Sequence, residues 1–256
     1  MDPNMIATTI GISAATQLMI KGAKAPAKTL NLLWEATIGR INPYLEKSIE
    51  EHRKNVLKYE DDIKQEITNI PTDQINHSPD ISVLGPALEA SKYYIENEEI
   101  RKMFAKLIGA EFDLRKSDKI HRSFADIIRQ MSSNDARLFP LLPLNGPIAE
   151  IRLFDTGGNY YERFGPRDIL LIPPTITDNF ENNAISLNNL ARLGLLELDH
   201  VQSILTTSYD AYISLSYYQE AQQKLSQNPD KYSRVQINTA SFVITPYGEL
   251  FKQICL

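Results

Sequence analysis

The sequence predicts a mainly α-helical protein with a smaller α+β part at its C-terminal end: a helical cluster followed by a winged-helix-like module that carries a helical insertion. Three observations lead there. Apolar residues recur at three- and four-residue spacing as far as Leu138, the signature of amphipathic helices. After Pro140 the texture changes to short apolar runs separated by Gly157-Gly158 and Gly165-Pro166, which read as strands and turns. From Ile185 the order becomes helix, glycine, strand, helix, strand and helix.

Residues 1–40 read as two helices, with Ile6, Ile10, Ala14 and Leu18 on one face of the first and Leu30, Leu33, Trp34 and Ile38 on one face of the second. Pro43 to Ile70 reads as one long amphipathic helix with an apolar seam at Leu45, Ile49, Val56, Ile63, Ile67 and Ile70. Its seven acids and five bases are interleaved, as on a solvated face, and the seam could pair with a second subunit. Pro71 to Asp80 reads as a linker, so residues 1–70 form an N-terminal segment. A central cluster at 81–140 starts with a helix opened by Gly85-Pro86 and continues with one capped by Asn97, whose short amide can accept from the first N–H groups. Met103, Phe104, Leu107, Ile108 and Phe112 give that helix its buried face, and a third runs from about Ser123 through Phe124, Ile127, Ile128 and Met131. Residues 141–256 form the α+β domain. There Ile148 to Phe154 and Ile169 to Ile172 are strands, Ser186 to Leu193 is a helix closed by Gly194, and Leu195 to Leu198 is a strand. Tyr209 to Leu225 is the helical insertion, Val235 to Ile244 returns as a strand, and Thr245-Pro246 starts the last helix.

Length and composition bound the function. With 256 residues, 43% hydrophobic and 23% charged, the chain can bury a core without disulfides or metals. Cys255 is the single cysteine, so no disulfide forms within the chain and a reducing compartment is expected. The first residues lack the basic segment of a secretory signal. Met5 to Ile20 is uncharged but reaches only about 24 Å as a helix, less than the roughly 30 Å of a bilayer core. A cytoplasmic protein is expected, with membrane association through Lys21, Lys24 and Lys28 as the lesser reading.

No phosphate-binding glycine loop, dinucleotide fingerprint or nucleophile elbow occurs, so no catalytic residues are assigned and the chain reads as a non-enzyme. No metal site and no cofactor are expected, because His52, His77, His121 and His200 are scattered without ligand-like neighbours. One polar site is worth naming, Asp113, His121 and Asp126, where the imidazole could act as an acid or base if folding brought a carboxylate to it; the plainer reading is that His121 and Asp126 fasten a helix start. A winged helix would place Asn188, Asn189 and Arg192 on a recognition face. However, residues 175–256 hold five bases against eight acids, and the whole chain carries −5, so a protein partner is favoured over DNA.

Four blocks in order, Gly85-Pro86-Ala87-Leu88-Glu89-Ala90, Met103 to Ile108, His121 to Ile128 and Ser132 to Ala136, resemble the abortive-infection alpha family of bacterial antiphage proteins. Asn189 to Leu195 and Thr245 to Phe251 are similar to that family's tail, so the likeness spans about residues 80–256. Arg122 stands where proline is expected, and the stretch near 200–235 is longer than the pattern. The resemblance implies a role in defence against bacteriophage and supplies no mechanism. A phage-defence protein acting through protein–protein binding is therefore the leading expectation, its partner a phage or host protein and a homo-oligomer open. The alternatives are a winged-helix DNA-binding regulator and a membrane-perturbing effector working through the N-terminal helices.

Overall fold

A computed structural model describes residues 14–38, 49–171, 179–201 and 209–256, without the side chains of residues 49, 50 and 52. Ile6, Ile10, Leu45 and the expected strand end at Ile172 lie outside the described residues. The chain divides into two compact units, Met1–Ser133 with Leu250–Leu256, and Asn134–Glu249. The first is helical; the second combines helices with one sheet.

Unit 1 is built on the seam of the long amphipathic helix. Residues 14–20 are helical, and α1 (Lys24–Thr37) buries Leu30 and Trp34. In α2 (Ile49–Thr68) Val56, Tyr59, Ile63 and Ile67 are buried, one stripe at helical spacing. Tyr59 completes the seam and stacks on Trp34, ring centres 5.7 Å apart. The seam is thus occupied within the chain, packed against α4 (Glu98–Glu111). Gly109 permits this: a Cβ there would stand 2.5 Å from Glu66 Cβ. Arg101 on α4 reaches back to Asp62 on α2, Nε to Oδ2 2.7 Å. The expected cap holds, with Asn97 Oδ1 accepting from the Ile100 N–H at 3.1 Å.

Two expectations in this unit are corrected. The helix expected to open at Gly85-Pro86 is α3 (Ile81–Ser91), with Pro86 in its interior. Asp80 starts it, its carboxylate accepting from the Ser82 N–H at 2.8 Å, and Val83 and Leu84 are buried in its first turn. Cap and early burial outweigh the proline signal. Residues 71–80, read as a linker, are instead fastened to the end of α4. Ile75 is buried and bridges to Asp113, the Asn76 N–H donates to Phe112 O at 2.8 Å, and Leu114 N–H donates to Gln74 O at 2.9 Å. Backbone groups in a buried turn need partners, and the α4 end supplies them. Helix α5 (Phe124–Gln130) adds Phe124, Ile127 and Ile128, and Phe124 meets Phe251 edge-on at 5.2 Å.

Unit 2 holds a four-stranded antiparallel sheet in the order β2-β1-β4-β3, made of β1 (Asn145–Asp155), β2 (Tyr161–Leu170), β3 (Leu196–Asp199) and β4 (Tyr232–Ile244). The short helix α6 (Ser133–Leu138) precedes β1. Strand β2 runs through Gly165-Pro166, which were expected to separate strands. Gly165 lies at φ +74°, and the β1–β2 register shifts between Ala149 and Ile151: the glycine makes a bulge, not a break. Helix α7 (Phe180–Arg192) leads through Gly194, at φ +75°, into β3, the left-handed C-cap the sequence indicates. The insertion consists of a 3-10 turn at Asp210–Ser214 and α8 (Ser216–Gln227). Tyr212 and Ala221 are buried there against Ala149, Ile151 and Ile169. Thr245 precedes α9 (Pro246–Cys255); its Oγ1 accepts from the Gly248 N–H at 2.9 Å and donates to Gly194 O at 2.7 Å. Among the described residues no helix is long and apolar enough to cross a membrane.

Candidate functional site

The polar constellation with the most construction behind it lies in unit 2. Asp168, near the end of β2, is 1% exposed, so its carboxylate must be met by donors. Helix α7 brings Asn188, whose Nδ2 donates to Asp168 Oδ2 at 2.9 Å. The residue after β3, His200, brings its imidazole, with Nε2 2.7 Å from Asp168 Oδ1. A carboxylate accepts only, so Nε2 carries the hydrogen in this contact. The His200 side chain keeps 28% of its surface exposed. The arrangement can orient an imidazole for proton transfer, and it also locks β2, α7 and the end of β3 together. Sequence reading passed over it because Asp168 and His200 are separated by a whole helix and a strand.

The same helix holds a second constellation. Asn189 Nδ2 donates to Asp135 Oδ2 at 2.7 Å, and its Oδ1 accepts from Arg192 at 3.0 and 2.8 Å. Asn134 Nδ2 donates to Ser186 Oγ at 2.7 Å. The residues expected to form a recognition face, Asn188, Asn189 and Arg192, are therefore engaged with their own unit. An asparagine reads adenine with both its amide groups; both are engaged within the unit at Asn189, and the Nδ2 of Asn188 donates to Asp168 and Ala184 O.

In unit 1 the expected polar site does not assemble around His121. Asp113 takes a bidentate hold on Arg115, Nη2 to Oδ2 2.6 Å and Nε to Oδ1 2.8 Å. Burial alone would raise the Asp113 carboxyl, and the hydrogen bonds and charge of Arg115 together keep it below the usual range. Asp126 pairs with Arg129 at 3.1 Å. His121 turns to the start of α5, its Nδ1 2.7 Å from Ser123 Oγ, and Asp126 stands in the first turn of that helix. The carboxylate that sequence reading undervalued is Glu111. It is 2% exposed; Oε1 accepts from the Asp80 N–H at 2.6 Å, while Oε2 has no partner. Burial pushes its pKa up to about 7.

The three lysines separate as well. Lys21 is half-buried and its ammonium donates to Ile70 O at the end of α2, where a cation complements the helix dipole. Lys24 and Lys28 are exposed on α1. Cys255 is wholly buried, and burial raises its thiol pKa, so it is held as the unreactive thiol. No group of three or more histidines, cysteines and acids capable of holding a metal occurs among the described residues.

The family model described as abortive infection alpha matches residues 51–255. The chain belongs to the abortive infection alpha family. The match starts inside α2, further upstream than the blocks near residue 80 indicate, and takes in every element of both units from there to Cys255. No curated protein and no solved structure matches the chain. Within this abortive infection alpha protein, the Asp168–His200–Asn188 constellation and Glu111 both fall inside the matched residues.

Proposed function

We propose that this chain is a phage-defence protein of the abortive-infection type that acts in the cytoplasm by binding a protein partner, without an enzymatic step of its own. The observation that carries the reading is the family match over residues 51–255. Support for a binding role comes from unit 2, where Leu141, Leu144 and Val243 are 50%, 60% and 47% exposed. Val243 pairs with Asn145 in the sheet, and the Ile244 N–H donates to Leu144 O at 2.7 Å, so Leu144 and Val243 lie together at the entry to β1. Neighbouring exposed apolar side chains gain from a partner's cover. The winged-helix description belongs to this proposal only for α7 with the β3–β4 pair. The DNA-binding alternative loses ground because Asn188, Asn189 and Arg192 hydrogen-bond inside the unit.

Expression in a susceptible host is expected to cut plaque numbers across part of a phage panel. Phe104→Asp, which puts a charge into the wholly buried core of unit 1, abolishes protection through unfolding. The paired change Leu144→Asp with Val243→Asp, on exposed positions, leaves the fold intact and abolishes protection. Full protection by that folded double variant overturns the proposed docking surface, and undiminished plaque counts with the unaltered chain across a broad panel overturn the defence role.

A further inference from the structure

Around Ala149 and Ile151 the sheet of unit 2 turns one face to an apolar core, and towards Ile148, Ala240 and Phe242 the opposite face is buried as well. Ala149 and Ile151 of β1 face the apolar cluster with Tyr212 and Ala221, joined by Phe164, Val235 and Ile237 from the neighbouring strands. Alternate residues of a strand point oppositely, so Glu150, Arg152 and Phe154 face away. Strand register then decides what joins them: Arg152 stands opposite Gln236 on β4 and Arg163 on β2, and Phe154 stands opposite Arg234 and Tyr161. The result is a patch of two aromatic rings and three arginines across β2, β1 and β4.

Its internal geometry is ordered. The Phe154 and Tyr161 rings are 5.6 Å apart. The Arg152 guanidinium lies 4.2 Å over the Tyr161 ring, and that of Arg234 lies 4.3 Å over Phe154. Glu150, 4% exposed, holds Arg152 through Oε2 at 2.8 Å from Nε and stands 4.0 Å from Arg163. One carboxylate therefore anchors the patch, and three guanidinium groups leave it net positive in a chain of net charge −5. Tyr161 is 47% exposed, the Arg163 side chain 51%, and Arg234 is exposed.

We propose that this face binds single-stranded nucleic acid. Unpaired bases stack on tyrosine and phenylalanine rings and on guanidinium planes, and phosphates pair with arginine; the patch offers both, side by side, on rigid strands. Duplex is disfavoured because its bases are already stacked on each other, and charge alone does not explain why two guanidiniums are held over rings. The acidic remainder of the chain suppresses general polyanion binding, so binding here rests on the local positive charge of this patch.

The test is fluorescence anisotropy of the full chain with labelled twelve-residue oligouridylate and oligothymidylate, and with heparin as a polyanion without bases. Binding of one or both oligonucleotides at low salt is expected, which also distinguishes RNA from DNA as the source. Tyr161→Ala weakens it about tenfold and Tyr161→Phe restores it, as stacking requires. Arg163→Ala with Arg234→Ala reduces the slope of log affinity against log salt by about 1.4, roughly 0.7 for each phosphate no longer neutralised. Lys102→Ala, the same kind of charge removal on α4, leaves affinity unchanged. No binding at low salt, heparin bound as well as oligonucleotide, or a folded Tyr161→Ala variant that binds normally each overturns the proposal.

Discussion

Glu111 is a carboxylate whose environment departs from what its type leads one to expect. One oxygen accepts from the Asp80 N–H and the other is buried without a partner. Desolvation is the largest cause of its raised pKa, about 7, with the nearby Asp80 carboxylate adding to it and the Asp80 hydrogen bond opposing it. A folded-state pKa above the unfolded one means that the native protein binds the extra proton, so its stabilising effect is complete at low pH. It is lost as pH rises from about 4.5 through about 7. Glu111→Gln keeps the acceptor for Asp80 and removes the titration. The variant is expected to melt about 5 °C above the parent at pH 8 and to show a flatter melting-temperature profile between pH 5 and 7.5; scanning calorimetry over that range checks it, and parallel profiles would exclude the assignment. None of this was legible in the sequence, where Glu111 is one acid near the end of a helix. The signal is an interaction made by residues 76–80, thirty positions upstream, and local patterns cannot carry it. His200 illustrates the same point: its partner Asp168 lies across a helix and a strand.

At the scale of elements, local chemistry carried further. Helix α4 with its Asn97 cap, the Gly194 C-cap and the return of β4 are set by near neighbours in sequence, and periodicity found them. The errors came where a strong local signal met a stronger tertiary one. Pro86 marks a helix start in isolation, yet Asp80 and the burial of Val83 and Leu84 place the start at Ile81. Gly165-Pro166 reads as a break, yet the bulged β2 passes through it because the pairing with β1 resumes on both sides. The packing of α2 on α4 turns on Gly109, where a side chain would meet Glu66 Cβ and not the end of a flexible chain. Gly109→Val is expected to force the two helices apart and to destabilise unit 1 by about 1–3 kcal/mol, the range for an overpacked core with a backbone shift. Gly109→Ala destabilises less, despite its better helix propensity. Urea denaturation followed by the emission of Trp34, buried in the same unit, measures the difference; equal stability of the valine variant would show that the helices have room to move.

The whole molecule is two units in which the second is inserted into the first: unit 1 runs to Ser133 and resumes at Leu250. Each has its own buried centre, Phe104, Leu107 and Phe112 in one and Ala149, Ile151 and Ile169 in the other. Ile151→Asp places a charge among the apolar residues of the sheet, where Ala149, Ile169, Tyr212 and Ala221 offer no cation to neutralise it. Unit 2 is expected to unfold. Unit 1 then has to close a flexible loop of more than a hundred residues between Ser133 and Leu250. Loop entropy grows only logarithmically, with each doubling adding about 0.6 kcal/mol, so this weakens unit 1 without dissolving it. The single tryptophan makes the outcome readable, since Trp34 is 2% exposed and belongs to unit 1. The Ile151→Asp protein is expected to lose sheet signal in circular dichroism and to keep the blue-shifted emission of a buried indole, with a lower urea midpoint than the parent. A red shift of Trp34 at zero urea would mean that the two units fold as one cooperative body, and that the sheet supports the helical cluster by more than chain connection.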